Sequence, residues 1–327
     1  MVGTGGLATT GGTPETGGKG AGGATVMGGG PGSGGKGSGG ETAAGGSAAG
    51  GKIGSGGSTA VGGGAGGTTG SGGAAGAGGA GNRDGGVQPG IDGGSAGFDP
   101  CPASDQCKIL PLGDSITWGI NYGGGYRIKL FAHTVTDTKN ITFVGYDTGN
   151  PPDQATLTKL GSAGSKFVNK HEGHSGWTIQ QDDDLVTGKS TATNDGVSYT
   201  GKKVVADFGP HIVLIHLGTN DMYQTPTGAP DRLGTLIDHV VSAAPNALVV
   251  VSNIIPFPSG ASAVTTFNNA VPGVVKQRTD AGKHVIFVDQ FKGFSTSDLG
   301  SDQVHPNEGG YEKMATVWYA AIKSYLH

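Results

Sequence analysis

From about residue 107 onward, short continuous apolar runs alternate with longer stretches in which apolar residues return every three or four positions. The first pattern is that of buried strands, the second that of helices with one inward face. Residues 108–112, 141–146, 212–217, 247–252 and 284–288 read as strands. A helix is expected after Gly125, with Tyr126, Leu130 and Phe131 inward. A shorter one is capped by Thr178 and runs into 182–185. Two more cover 231–244 and 263–281, the latter interrupted or kinked near Pro272. The last, 308–326, places Tyr311, Met314, Ala315, Trp318 and Ile322 on one face. Between these, 121–125 reads as a flexible loop, 147–170 as polar loop and 186–203 as a surface excursion. Strands alternating with helices predict an α/β fold, a three-layer α/β/α sandwich around a parallel sheet of about five strands. Ligands of such sheets bind at the carboxyl ends of the strands.

Composition changes the picture only before that point. Of the 69 glycines, 44 lie in residues 1–100, where Phe98 is the sole aromatic. Such a stretch cannot bury enough apolar surface to offset the entropy of ordering it. Residues 1–106 are therefore expected to be a Gly/Ser/Thr/Ala-rich tether, and 107–327 the functional domain. A glycine-rich repeat structure is the alternative for the tether. Gly93 to Gly97 spells G-x-S-x-G, a nucleophile-elbow pattern, but with no strand before it and no helix after it. The net charge of −4, without a basic stripe, argues against a nucleic-acid partner, and no apolar run is long enough to span a membrane. No signal peptide is visible at Met1. A long tether before a compact domain nonetheless leads us to expect a secreted or surface-tethered protein, and a monomer. Cys101 and Cys107 either close a small disulfide loop or remain free thiols; without paired histidines they make a poor zinc site. No metal or cofactor is expected.

The candidate chemistry follows the strands. Ser115, in Gly113-Asp114-Ser115-Ile116-Thr117, comes directly after the first strand and is a candidate nucleophile; alone, it could equally be a helix-capping or turn serine. His305 is the candidate base. Asp302, three residues earlier, can reach its Nδ1 and fix its tautomer, or the two can be an exposed loop pair. Asn220, in Gly218-Thr219-Asn220-Asp221, can direct an amide donor at a developing oxyanion, beside the backbone N–H groups of Ser115 and Gly176. Its alternative is a turn residue. Asp114 and Asp221 read as loop-bracing acceptors.

These blocks, with Ser175-Gly176-Trp177-Thr178 between them and Asp302-x-x-His305-Pro306-Asn307 at the end, resemble in order the four blocks of the SGNH (GDSL-type) hydrolases. The resemblance covers nearly all of 107–327. It implies a flavodoxin-like sandwich and a metal-free ester hydrolase working through an acyl-enzyme. It makes Ser115 the nucleophile, His305 the base, Asp302 its partner, and Ser115, Gly176 and Asn220 the oxyanion hole. Glu172 to Ile179, with Gly125-Tyr126-Arg127, is similar to the acetylxylan esterases of carbohydrate esterase family 3. The second of the four blocks usually has a small polar residue where this chain has Trp177. Trp177 then either walls the acyl pocket or sugar subsite or simply packs under a loop. Arg127 is a substrate contact or a structural partner. The expected substrate is an acetylated polysaccharide or another small-acyl ester. A lysophospholipase, thioesterase or short-chain lipase is the alternative within enzymes, and a non-catalytic polysaccharide-binding module the alternative outside them. The polar loops at 147–170, 186–203 and 223–230 favour a small acyl group on a polar body.

Overall fold

A computed structural model describes residues 97–327; residues 1–96 of the segment read as a tether, and with them all but the last residue of the G-x-S-x-G match, lie outside the described residues. The first strand, β1 (Cys107–Asp114), runs directly into a single helical turn, α1 (Ser115–Trp118), and then into α2 (Gly125–Thr136). β2 (Ile141–Phe143), α3 (Gln154–Lys159), β3 (Glu172–His174) and α4 (Ile179–Thr187) follow. A small hairpin, β4 (Thr193–Asn194) and β5 (Val197–Ser198), leads to α5 (Val204–Phe208). The second half repeats strand and helix: β6 (Ile212–His216), α6 (Thr219–Gln224), α7 (Ala229–Ala243), β7 (Leu248–Ser252), α8 (Ala261–Asp280), β8 (Val285–Val288) and α9 (Glu308–Ile322).

The main sheet is parallel, in the order β2-β1-β6-β7-β8. β2 pairs with the first three residues of β1 and β3 with the last three, so the two lie end to end along the same edge of β1. The sheet thus has the expected five positions, with one of them shared. Its two faces carry separate apolar layers. Leu110, Leu112, Val213 and Ile215 pack toward α4, α7 and α8, whereas Ile109, Leu214 and Val250 pack toward α2 and α9. That arrangement is the expected sandwich, and the strands read as unbroken apolar runs because both faces are covered.

α9 buries all five side chains expected on its inner face, and α2 buries Tyr126, Leu130 and Phe131. α8 runs through Pro272 as one helix. The ring removes a backbone donor, at about 3 kcal/mol. The stripe of Val264, Phe267, Val271 and Val275, at roughly 2 kcal/mol each, outweighs that cost.

Three expected loops carry structure. Residues 147–170 hold α3, which is capped by Asp153 accepting from the Thr156 N–H at 2.7 Å and buries none of its side chains. Residues 186–203 hold the β4–β5 hairpin, turned by Asp195 and Gly196 at positive φ, and end on Tyr199, which is wholly buried. The 121–125 segment, expected to be flexible, is tied at both ends. The Gly124 N–H donates to Asn150 O at 2.8 Å, and the Tyr311 hydroxyl donates to Ile120 O at 2.8 Å. Cys101 and Cys107 form a disulfide, and Phe98 packs onto the sandwich, its ring stacked on His284 at 3.5 Å. No helix among the described residues is long and apolar enough to cross a membrane.

Candidate active site

The turns after β1, β3 and β6 emerge side by side, because Asp114 is paired with His174 and Gly113 with His216. The first of them is tightly packed. A Cβ on Gly113 would lie 2.2 Å from Thr117 Oγ1 and 2.6 Å from His216 O, so only glycine lets β1 turn into α1 here. Asp114 caps α1, its Oδ1 accepting from the Ile116 N–H at 2.9 Å. Its other oxygen is buried without a protein partner, and burial pushes the carboxyl up from 3.8 to about 7. Arg127, wholly buried on α2, donates to Thr117 O and Trp118 O, both at 3.2 Å, and to Asn169 Oδ1 at 2.6 Å. It closes the carbonyl end of α1.

Ser115 Oγ, at the start of α1, lies 2.7 Å from His305 Nε2. His305 Nδ1 lies 3.0 Å from Asp302 Oδ2. The other oxygen of Asp302 accepts the backbone N–H groups of Val304 and His305, each at 2.9 Å. Those bonds, the imidazole and Asn121 overcome partial burial and hold the Asp302 carboxyl down at about 2. A hydroxyl, an imidazole and an ionised carboxylate therefore form one continuous chain. Such a chain can pass a proton from oxygen to nitrogen and stabilise the resulting imidazolium.

The turn after β3 carries Gly176, which is exposed and has φ of +82°, a conformation that disfavours any side chain. The bonds that hold this turn run from the Trp177 N–H to His174 O at 3.1 Å and from Gln224 Nε2 to Gly176 O at 3.4 Å; neither uses the Gly176 N–H. Asn220, on α6, donates from Nδ2 to Trp177 O at 2.8 Å, so its amide fixes the Gly176 turn and retains a second N–H. Asp221 braces two elements: Oδ2 accepts from the Ile179 N–H at 2.9 Å, and Oδ1 takes Arg232 at 2.8 and 3.2 Å. Trp177 is buried, its ring 4.0 Å from that of His174 and 5.7 Å from that of Tyr199. Of its two readings, packing is the one this placement supports.

Three participants escaped the sequence reading. Asn121 reaches Asp302, Arg232 neutralises Asp221, and Asp195 at the hairpin tip accepts the Trp118 indole N–H at 2.6 Å. Only the last had a local signal, the Asp-Gly turn. Among the described residues, no group of three or more His, Cys, Asp or Glu side chains is arranged to hold a metal ion.

Fold and crevice together are those of a parallel α/β/α sandwich with a serine, a histidine and an aspartate in one hydrogen-bonded chain. Residues 109–318 match the family described as GDSL-like Lipase/Acylhydrolase, and the chain belongs to that family. A multidomain esterase of Ruminococcus flavefaciens is 30% identical over 236 residues, 68% of this chain and 29% of that protein. A putative endoglucanase X of Acetivibrio thermocellus is 33% identical over 112 residues, 34% of this chain and 49% of that protein. The match thus spans less than a third and about half of these curated relatives. Among solved structures, the family 3 carbohydrate esterase of Clostridium thermocellum is 30% identical with a TM-score of 0.55, covering 68% of this chain and 98% of its own. A carbohydrate esterase family 3 structure from Talaromyces cellulolyticus is 25% identical with a TM-score of 0.52, covering 67% and 97%.

Proposed function

We propose that the protein removes acetyl groups from carbohydrate, with acetylated xylan as the substrate class. The observation that carries the hydrolytic reading is the unbroken chain Ser115–His305–Asp302, at 2.7 and 3.0 Å. Ser115 Oγ attacks the ester carbon as its proton passes to His305 Nε2, and Asp302 stabilises the imidazolium. The N–H groups of Ser115, Gly176 and the Asn220 amide receive the oxyanion, each worth on the order of 3 kcal/mol in the barrier. Collapse of the tetrahedral adduct breaks the bond to the sugar oxygen, which takes the proton from His305. Water, deprotonated by the same imidazole, then releases acetate from Ser115.

Two things support a small acyl group on a polar body. The similar solved structures are described as family 3 carbohydrate esterases. In addition, Tyr223 and Phe291 are the only large apolar side chains exposed among the described residues, whereas a lipid substrate needs a broader apolar surface. The test is acetate release from acetylated xylan by the full chain beside Ser115→Ala. The parent should release acetate and the variant should be slower by about a thousandfold or more. No release by either removes the xylan assignment. Turnover confined to long acyl esters would favour a lipase, and none on any ester a binding module.

A further inference from the structure

The turn that carries Asp302 and His305 is not placed by the sheet. It lies 14 to 17 residues beyond the end of β8, and β8 stands three strand positions from β1, roughly 14 Å away. The bonds within the turn, from Gly300 N–H to His305 O at 2.7 Å and from Asn307 N–H to Asp298 O at 2.9 Å, fix its shape but not its distance from Ser115. Something must set that distance.

We infer that Asn121 is a positioning residue for the Asp302–His305 pair, spanning from the loop after the nucleophile to the acid. Asn121 Nδ2 donates to Asp302 Oδ2 at 3.2 Å and to His305 O at 3.3 Å. The first acceptor is the same oxygen that faces His305 Nδ1. One neutral amide therefore holds the carboxylate and the backbone of the base at once. Its own backbone is fixed for the task. Asn121 has φ of +73°, which asparagine tolerates better than most residues, and the preceding carbonyl is held from α9 by Tyr311. The fit is close, since a Cβ on Gly300 would sit 2.2 Å from Asn121 Nδ2. The groups bonded to the His305 ring are Asp302 at Nδ1 and the Ser115 hydroxyl at Nε2, so Asn121 reaches the imidazole only through Asp302, while holding the His305 backbone directly.

The role presupposes the hydrolytic reading above, and the experiment separates the two. Asn121→Gly keeps the backbone conformation and removes the amide. Hydrolysis of a small acetyl ester by the full chain should lose about ten- to a hundredfold in kcat, as misplacing a catalytic group by an ångström does, with KM within about twofold. Unchanged kcat, or a raised KM at unchanged kcat, overturns the assignment. Asn121→Asp sets a second carboxylate against Asp302 Oδ2. It should move the His305 imidazole titration, followed by NMR in both the parent and the Ser115→Ala background, upward by about half a unit to one unit. A titration that does not move overturns the contact even if the protein turns over nothing. A parent without esterase activity, with the titration nonetheless moved by Asn121→Asp, would instead sink the hydrolytic reading and leave the contact standing.

Discussion

Asp114 presents the sharpest conflict among the residues of the crevice. Capping α1 asks for an oxygen acceptor, which Oδ1 provides, but the second oxygen is buried with only the Thr219 hydroxyl beside it, too poorly aligned to offset the burial. Because the folded carboxyl is raised from 3.8 to about 7, the stability it contributes is full below about pH 4 and is lost as pH rises toward 7. Asp114→Asn keeps the Oδ1 acceptor, offers an amide to Thr219 and cannot ionise. Urea unfolding should therefore find the variant more stable than the parent at pH 8, by up to about 4 kcal/mol, and little different at pH 4. Equal stability at pH 8 would mean that the ionised carboxylate is solvated or paired in the fold. His305 supplies a second dependence, on rate. kcat/KM should fall on the acid side as the imidazole takes up a proton, and a profile flat into acid would remove His305 as base.

At the scale of elements, the crevice is held by α6, which joins two turns through consecutive residues: Asn220 to the Gly176 turn and Asp221 to the start of α4. Asp221 is wholly buried and its one cation is Arg232 of α7, which also donates to the carbonyls of Thr225 and Thr227. Arg232→Met would leave that carboxylate buried and uncompensated, at about 3 kcal/mol or more. At 2–4 °C per kcal/mol, the thermal midpoint should drop by roughly 6–12 °C. A midpoint within 1 °C of the parent would deny the pair this role. These ties also explain what was legible in the chain. β1, β6, β7 and β8 announce themselves because strands covered on both faces must be apolar throughout, and α7, α8 and α9 because each buries one stripe. α3 buries nothing, so no periodicity marks it, and β4–β5 is too short to alternate. Ser115 and Asn220 stood out because each lies in a motif directly after a strand, and His305 because Asp302 precedes it by three residues. Asn121 could not, because its acceptor Asp302 is 181 residues away and nothing local distinguishes it from a turn asparagine.

Across the whole domain the two ends of the sheet divide the work. The carboxyl ends gather the crevice, while the amino end of β1 carries the Cys101–Cys107 disulfide, with Asp99 bonded to His327 at 2.8 Å and Phe98 on His284 nearby. β1 has eight residues, so Cys107 and Ser115 are separated by about 26 Å of extended strand. A disulfide closing so short a loop restrains the unfolded chain by about 2 kcal/mol. For a domain of this size that corresponds to roughly 4–8 °C in Tm. Cys101→Ala together with Cys107→Ala should lower Tm by that much and leave kcat and KM at 25 °C within about twofold, because no bond of the Ser115–His305–Asp302 chain passes through that end. The double variant separates stability from chemistry in a way the crevice variants cannot, since each of those touches both. A tenfold loss of kcat with the fold intact would show that strain at the amino end of β1 is transmitted along the strand to Ser115, and the two ends would then have to be treated as one device.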